Sequence, residues 1–160
     1  MADSLSYLKM LFMVLLLLSE LSVYGADPFR CRIRKKMVFY AESLLGAPYK
    51  YGGTDPSGFD CSGYTVYVYT HFHKKLPRDS RAQYAAGRPL KRPGRARPGD
   101  LIFFAGRDAS SGEVGHSGLI ISRERHDIVF IHSSSSNGII KSRLSESYYR
   151  DRFLGCRKFF

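Results

Sequence analysis

The sequence predicts an α+β fold, one helix followed by a run of short strands. Three observations carry that prediction. Ile33, Met37, Val38, Ala41, Leu44 and Leu45 recur at helical spacing. Leu101–Ala105 (LIFFA), Gly118–Ser122 (GLIIS) and Ile128–His132 (IVFIH) are short apolar runs rich in β-branched and aromatic residues, with polar, glycine-bearing stretches between them. The chain has 160 residues, 44% hydrophobic and 24% charged, which suits one ordinary domain and excludes a largely disordered polymer.

Taken in order, the chain opens with Met10–Leu18 (MLFMVLLLL), an uncharged apolar run. A bilayer-spanning helix needs about 20 such residues, so this run fits the apolar centre of a secretory signal peptide, with Gly25 and Ala26 as a cleavage point. Residues 1–25 are therefore expected to be a signal peptide and 26–160 a single domain, exported to the periplasm, the cell envelope or the medium. If uncleaved, the segment would tether the protein to a membrane. The periodic helix follows, stopped by Gly46 with Pro48 just beyond. Residues 49–60 (YKYGGTDPSGFD) are turn-rich and predict a loop. Thr65–Thr70 (TVYVYT) pulls two ways. Its residue types favour a strand, whereas Asp60 before Cys61-Ser62-Gly63 can cap the start of a helix. Beyond it the three apolar runs predict a meander, and Phe153–Phe160 a last strand.

Lys and Arg number 25 against 14 Asp and Glu, a formal charge of +11 that favours polyanionic partners. Much of it lies in RIRKK (32–36) and RPLKRPGRARPGD (88–100). Pro89, Pro93 and Pro98 break the second run, as in a solvated loop. Export shifts the expected partner from nucleic acid, for which no binding motif is recognisable, to an anionic wall or membrane surface met through these basic patches.

The chemistry begins with three cysteines. No CxxC or HxxxH spacing is present, so no metal site is expected. Cys61 lies in a polar, glycine-rich turn; Cys31 and Cys156 lie near the two ends of the mature chain. A nucleophilic Cys61 needs thiolate character, which a helix N-terminus and a nearby imidazole supply. That imidazole needs an orienting partner on its other nitrogen. His116 and His132, each at the edge of an apolar run, are the candidates, while His71 and His73 beside Lys74 and Lys75 read as exposed.

The strings YKYGGTDPSGFDCSG (49–63), LPRDS (76–80), PGDLIFF (98–104), GHSGLIIS (115–122) and FIHSSSSNGI (130–139) occur in that order. Together they resemble the NlpC-like family of papain-related cell-wall cysteine peptidases over roughly residues 33–160. The resemblance implies a papain-like α+β fold, its cysteine at the start of a helix packed on an antiparallel sheet, and so implies helix for residues 61–73. It implies hydrolysis of peptidoglycan stem peptides, commonly at the γ-D-glutamyl–diamino acid bond, through a thioester and without cofactor or metal. On the matching positions Cys61 is the nucleophile, His116 the general base and His132 the polar residue that orients it. Tyr49 falls near the oxyanion region, Asp60 and Ser62 at substrate-binding positions beside the nucleophile, and Asp100 at a structural turn. Cys31 and Cys156 lie outside the family pattern and are candidates for a disulfide. Acyl transfer to an amine would use the same machinery. A non-catalytic wall-binding role would require loss of a catalytic position, and none of the three is lost.

Overall fold

The computed structural model describes Tyr7 and residues 9–13, 28–125 and 127–160. The chain divides into two units, Met1–Cys31 and Arg32–Phe160. Of the segment read as a signal peptide, Tyr7 and residues 9–13 are helical and exposed; the rest, including the expected cleavage point, lies outside the described residues. Among the described residues no helix is long and apolar enough to cross a membrane.

Helix α1 (Pro28–Glu42) starts on a proline, which tolerates the first turn because its missing N–H has no partner there anyway. Arg34, Met37 and Ala41 share one face and are buried. The helix ends before Leu44 and Leu45, which fall in the turn leading to Gly46 (φ +82°). Arg34 is the unusual core residue. Its guanidinium donates to Asp100 Oδ1 at 2.8 Å and to Pro98 O at 2.6 Å, so the buried charge is paired and hydrogen-bonded. Asp100 Oδ2 also accepts from the Arg97 backbone N–H at 2.9 Å, which gives this aspartate the turn-shaping place its sequence position suggested.

The predicted loop at 49–60 contains a small hairpin, β1 (Thr54–Asp55) and β2 (Gly58–Phe59), that seats against the next helix. The contact is close enough to require glycine: a Cβ at Gly63 would lie 2.1 Å from Gly53 O. Helix α2 (Cys61–His71) then resolves the TVYVYT conflict. Asp60 holds extended backbone (φ −89°, ψ 176°) and accepts from Gly63 N–H at 2.6 Å, a full N-cap. Tyr64, Thr65, Val68 and Tyr69 are buried, and the Tyr64 and Tyr69 hydroxyls donate to Ala41 O and Gly99 O. Tertiary burial and the cap outweigh the strand preference of the β-branched and aromatic residues.

Helix α3 (Ser80–Ala86), capped by Asp79, was not expected. It places buried Gln83, whose amide donates to Ser62 O and Pro77 O while its oxygen accepts from Thr65. The main sheet has the order β3-β8-β4-β5-β6-β7: β3 (Arg88–Pro89), β4 (Leu101–Ala105), β5 (Val114–Glu124), β6 (Asp127–Ser134), β7 (Gly138–Arg143) and β8 (Phe153–Lys158). LIFFA is β4, and GLIIS and IVFIH lie inside β5 and β6. The tail strand does not extend the meander but inserts between β3 and β4. β7 and the short helix α4 (Ser147–Arg150) are additions to the predicted set. Both faces of the sheet are covered: Leu101, Phe103, Leu119 and Ile131 pack with α1 and α2 residues, while Ile102, Phe104, Ile120, Phe130 and Cys156 form a second cluster. That explains why β4 is a continuous apolar run rather than an alternating one.

Candidate active site

Cys61 is the first residue of α2, fixed there by the Asp60 cap and the hairpin. His116 sits early in β5, opposite Phe104 of β4, and His132 late in β6. The register carries both histidines to the same end of the sheet. Cys61, His116, His132 and Tyr49 line one cleft of about 470 Å3 together with Tyr149.

The histidines are directly joined. His116 Nε2 lies 3.0 Å from His132 Nδ1, and His132 Nε2 lies 3.0 Å from the Tyr149 hydroxyl and 3.3 Å from Ser142 Oγ. The tautomers follow from what a base must do. For His116 to act as a base toward the Cys61 thiol only Nδ1 is open, and in that tautomer its Nε2 carries the hydrogen and donates to His132 Nδ1. The His132 proton is then on Nε2 and donates to Tyr149 or Ser142. Rings close the pair in: Phe130 is 5.2 Å and Tyr149 5.3 Å from the His132 ring, and Phe104 is 6.1 Å from that of His116.

That enclosure sets the charge state. Burial lowers His116 to about 4. Burial, reinforced by the neighbouring His116, lowers His132 to about 3. Both rings are neutral at neutral pH. The Cys61 thiol moves the other way: burial raises it and Asp60 adds to the rise, against the opposing pull of the Ser117 and Ser62 backbone N–H groups. Desolvation therefore opposes the thiolate–imidazolium pair in the free protein. The helix terminus does lower the thiol, but desolvation outweighs it, and the resting pair is thiol and imidazole.

The other predicted residues divide. Tyr49 faces the cleft, its phenol raised by burial and by Cys61 and Asp60, so it is a neutral donor. Asp60 and Ser62 are not in the cleft lining. Asp60 meets Arg78 with both carboxylate oxygens, at 3.0 and 2.6 Å, and also accepts from Gly52 and Gly63 N–H. Burial pushes its carboxyl up, but Arg78 and the Gly63 N–H override this and hold it below the usual range. Ser62 Oγ donates to Asp60 and accepts from Arg78. The bridge considered between Cys31 and Cys156 is not formed: both thiols are free, Cys31 exposed and Cys156 sealed in the core at 1% exposure. Tyr149, Ser142 and Arg78 escaped the sequence reading as functional residues. Arg78 stood within a quoted motif, but Tyr149 and Ser142 carry no local signal.

A cysteine opening a helix, facing a histidine pair on an antiparallel sheet, is the papain-like arrangement. The sequence profile of the NlpC/P60 family matches residues 46–158, and the chain belongs to that family. It is 32% identical over 151 residues to the probable endopeptidase NlpC of Escherichia coli, covering 89% of this chain and 93% of that one. It is 35% identical over 137 residues to the gamma-DL-glutamyl hydrolase of Bacillus subtilis, covering 84% of this chain but 31% of the relative. The chain thus spans about a third of that hydrolase. An NlpC/P60 family protein from Bacillus cereus superposes with a TM-score of 0.71 at 30% identity, over 79% of this chain and 40% of that one.

Proposed function

We propose that the protein is an exported cysteine endopeptidase that hydrolyses peptidoglycan stem peptides, at the bond between γ-D-glutamate and a diamino acid. The observation that carries this is the convergence of Cys61, His116 and His132 on one cleft. The names of the relatives, an endopeptidase and a gamma-DL-glutamyl hydrolase, support peptide-bond hydrolysis and a γ-glutamyl substrate.

The reaction starts from the neutral pair. As Cys61 Sγ attacks the scissile carbonyl, its proton passes to His116 Nδ1. The charge that develops on His116 is stabilised through Nε2–H by His132 Nδ1, 3.0 Å away. The depressed basicity of His132 matters here: it stays an uncharged acceptor while its neighbour gains a proton. Tyr149 in turn fixes the His132 ring. The oxyanion is held by the Cys61 backbone N–H and the neutral Tyr49 hydroxyl. His116 then protonates the leaving amine, leaving a thioester, and finally activates the water that cleaves it.

The test is mass spectrometry of disaccharide-peptide fragments incubated with the native protein and with Cys61→Ala. Cleavage after D-glutamate by the native protein alone is the expected result. Retained cleavage in Cys61→Ala refutes the nucleophile. Absence of cleavage of any stem peptide refutes the hydrolase, and products joined to an added amine would make the reaction acyl transfer.

A further inference from the structure

The basic run 88–100 is largely exposed, as its prolines predict, but its charges are not scattered. Arg88, Arg95 and Arg97 line a cavity of about 540 Å3 with Arg123 from β5 and Lys158 from β8. Arg88 and Lys158 are direct cross-strand partners, and like charges placed opposite one another destabilise a strand pair. The Arg123 guanidinium donates to Gly94 O, which holds that cation at the cavity. Asp100 is the one acid in the lining, yet it is 1% exposed and already accepts from Arg34 and from the Arg97 N–H. Among the described residues none of the five cations makes an ion pair. The crowding registers on Lys158, whose ammonium is lowered by burial and by Arg88, Arg34 and Arg97.

Unpaired cations drawn from separate chain segments into one cavity are a local conflict that a bound anion relieves. Guanidinium groups favour ligands that offer several oxygens in fixed directions. A carboxylate presents its two oxygens in one plane, whereas a phosphodiester presents two non-bridging oxygens from a tetrahedral centre, which suits guanidinium groups converging from separate chain segments. The apolar lining, Leu90 and Ala96, is half-buried and buried, so it offers no prong for a bilayer. We propose that this cavity binds phosphodiester groups of an anionic polymer, at a site separate from the Cys61 cleft. The two sites share no lining residue. β5 carries both, His116 near one end and Arg123 near the other, roughly 20 Å apart at the rise of an extended strand. Binding there does not depend on which reaction the cleft performs.

The test is calorimetric titration of the full-length chain with a soluble glycerol-phosphate oligomer at fixed ionic strength. Arg88→Gln/Arg123→Gln/Lys158→Gln is compared with Lys35→Gln/Lys36→Gln/Lys75→Gln, which removes equal charge elsewhere. The cavity variant is expected to lose at least tenfold in affinity and the control less than twofold. The oligomer should also raise the unfolding midpoint of the wild type but not of the cavity variant. Arg88→Gln alone, which removes the like-charge opposition, should lose at least threefold and covers the case of a triple variant that does not fold. Equal losses in the two triple variants would overturn the site. Equal affinity for a poly-glutamate of matched charge would overturn the phosphate assignment, and binding confined to phosphatidylglycerol vesicles would overturn the polymer.

Discussion

Lowering the pH from 7 to 5 should destabilise the fold through the two buried histidines, well above the range where carboxylates protonate. An unfolded histidine titrates near 6.5, whereas His116 and His132 are lowered to about 4 and about 3 in the fold, mainly by burial. A histidine with a depressed native pKa contributes its full stability above about 6.5. It loses that contribution as the pH falls, because the unfolded chain takes up a proton that the native chain refuses. Between pH 7 and pH 5 the loss is about 2 kcal/mol for each ring, hence about 4 kcal/mol for the pair. Against a total stability of about 5–15 kcal/mol for a domain this is a large share. The depressed carboxyl of Asp60 acts in the same direction, but only below about 3.9, outside this window.

The assay is urea unfolding at pH 7, 6 and 5 on the wild type and on His132→Gln, which keeps a polar side chain and removes one titration. The wild type should lose about 4 kcal/mol across the range, with the slope roughly halved in the variant. A wild-type stability that is flat between pH 7 and pH 5 would refute the neutral, desolvated pair. So would an unchanged slope in His132→Gln.

Three further outcomes are expected. Tyr149→Phe keeps the ring against Phe130 and His132 but removes the hydroxyl from His132 Nε2; kcat should fall about tenfold, the worth of one hydrogen bond, with KM unchanged, and a change in KM alone would contradict a positioning role. Arg34→Met leaves Asp100 buried without its cation and should cost about 3–5 kcal/mol in urea unfolding. Arg34→Met/Asp100→Asn should be less destabilised than that single variant, and additive losses would show that the pair is not coupled. Cys61 labelling by iodoacetamide should keep accelerating above the ordinary thiol range because burial raises the group; a rate that plateaus by pH 7 would show a resting thiolate instead.

The strands legible in the sequence were those whose burial is written into consecutive residues. LIFFA could be read because both faces of β4 are covered, so its five residues are all buried. TVYVYT misleads on propensity because its helix is specified by Asp60 and by burial against α1 and the sheet, which a window of six residues does not contain. β7 has one adjacent isoleucine pair, too little for a period. The site shows the same division. Cys61 and His116 lie in motifs, and Asp60 lies beside the nucleophile, so all three were legible as positions. The partners that hold them were not. The Asp60 carboxylate is turned to Arg78, eighteen residues onward in the chain, and the third link of the histidine chain is Tyr149, seventeen residues from His132.

Charge state was least legible, because it is a property of enclosure rather than of neighbours in sequence. Glycine-rich surroundings and a helix start argue for a lowered thiol, and those N–H groups are in place at Ser62 and Ser117. The same close packing that aims them at the sulfur also removes water from it and from both imidazoles. Desolvation acts against each charged form separately, whereas the attraction between thiolate and imidazolium is realised only when the proton has moved. The free site therefore rests neutral. In the proposed reaction, proton transfer becomes favourable as substrate supplies a carbonyl to take the negative charge and the His132–Tyr149 chain supports the positive one. On this argument the histidine chain acts on the transition state more than on the resting thiol. Tyr149→Phe should consequently slow turnover while leaving the pH dependence of Cys61 alkylation in the free enzyme unchanged. A parallel shift in both would place the effect on the resting thiol and refute that order of events.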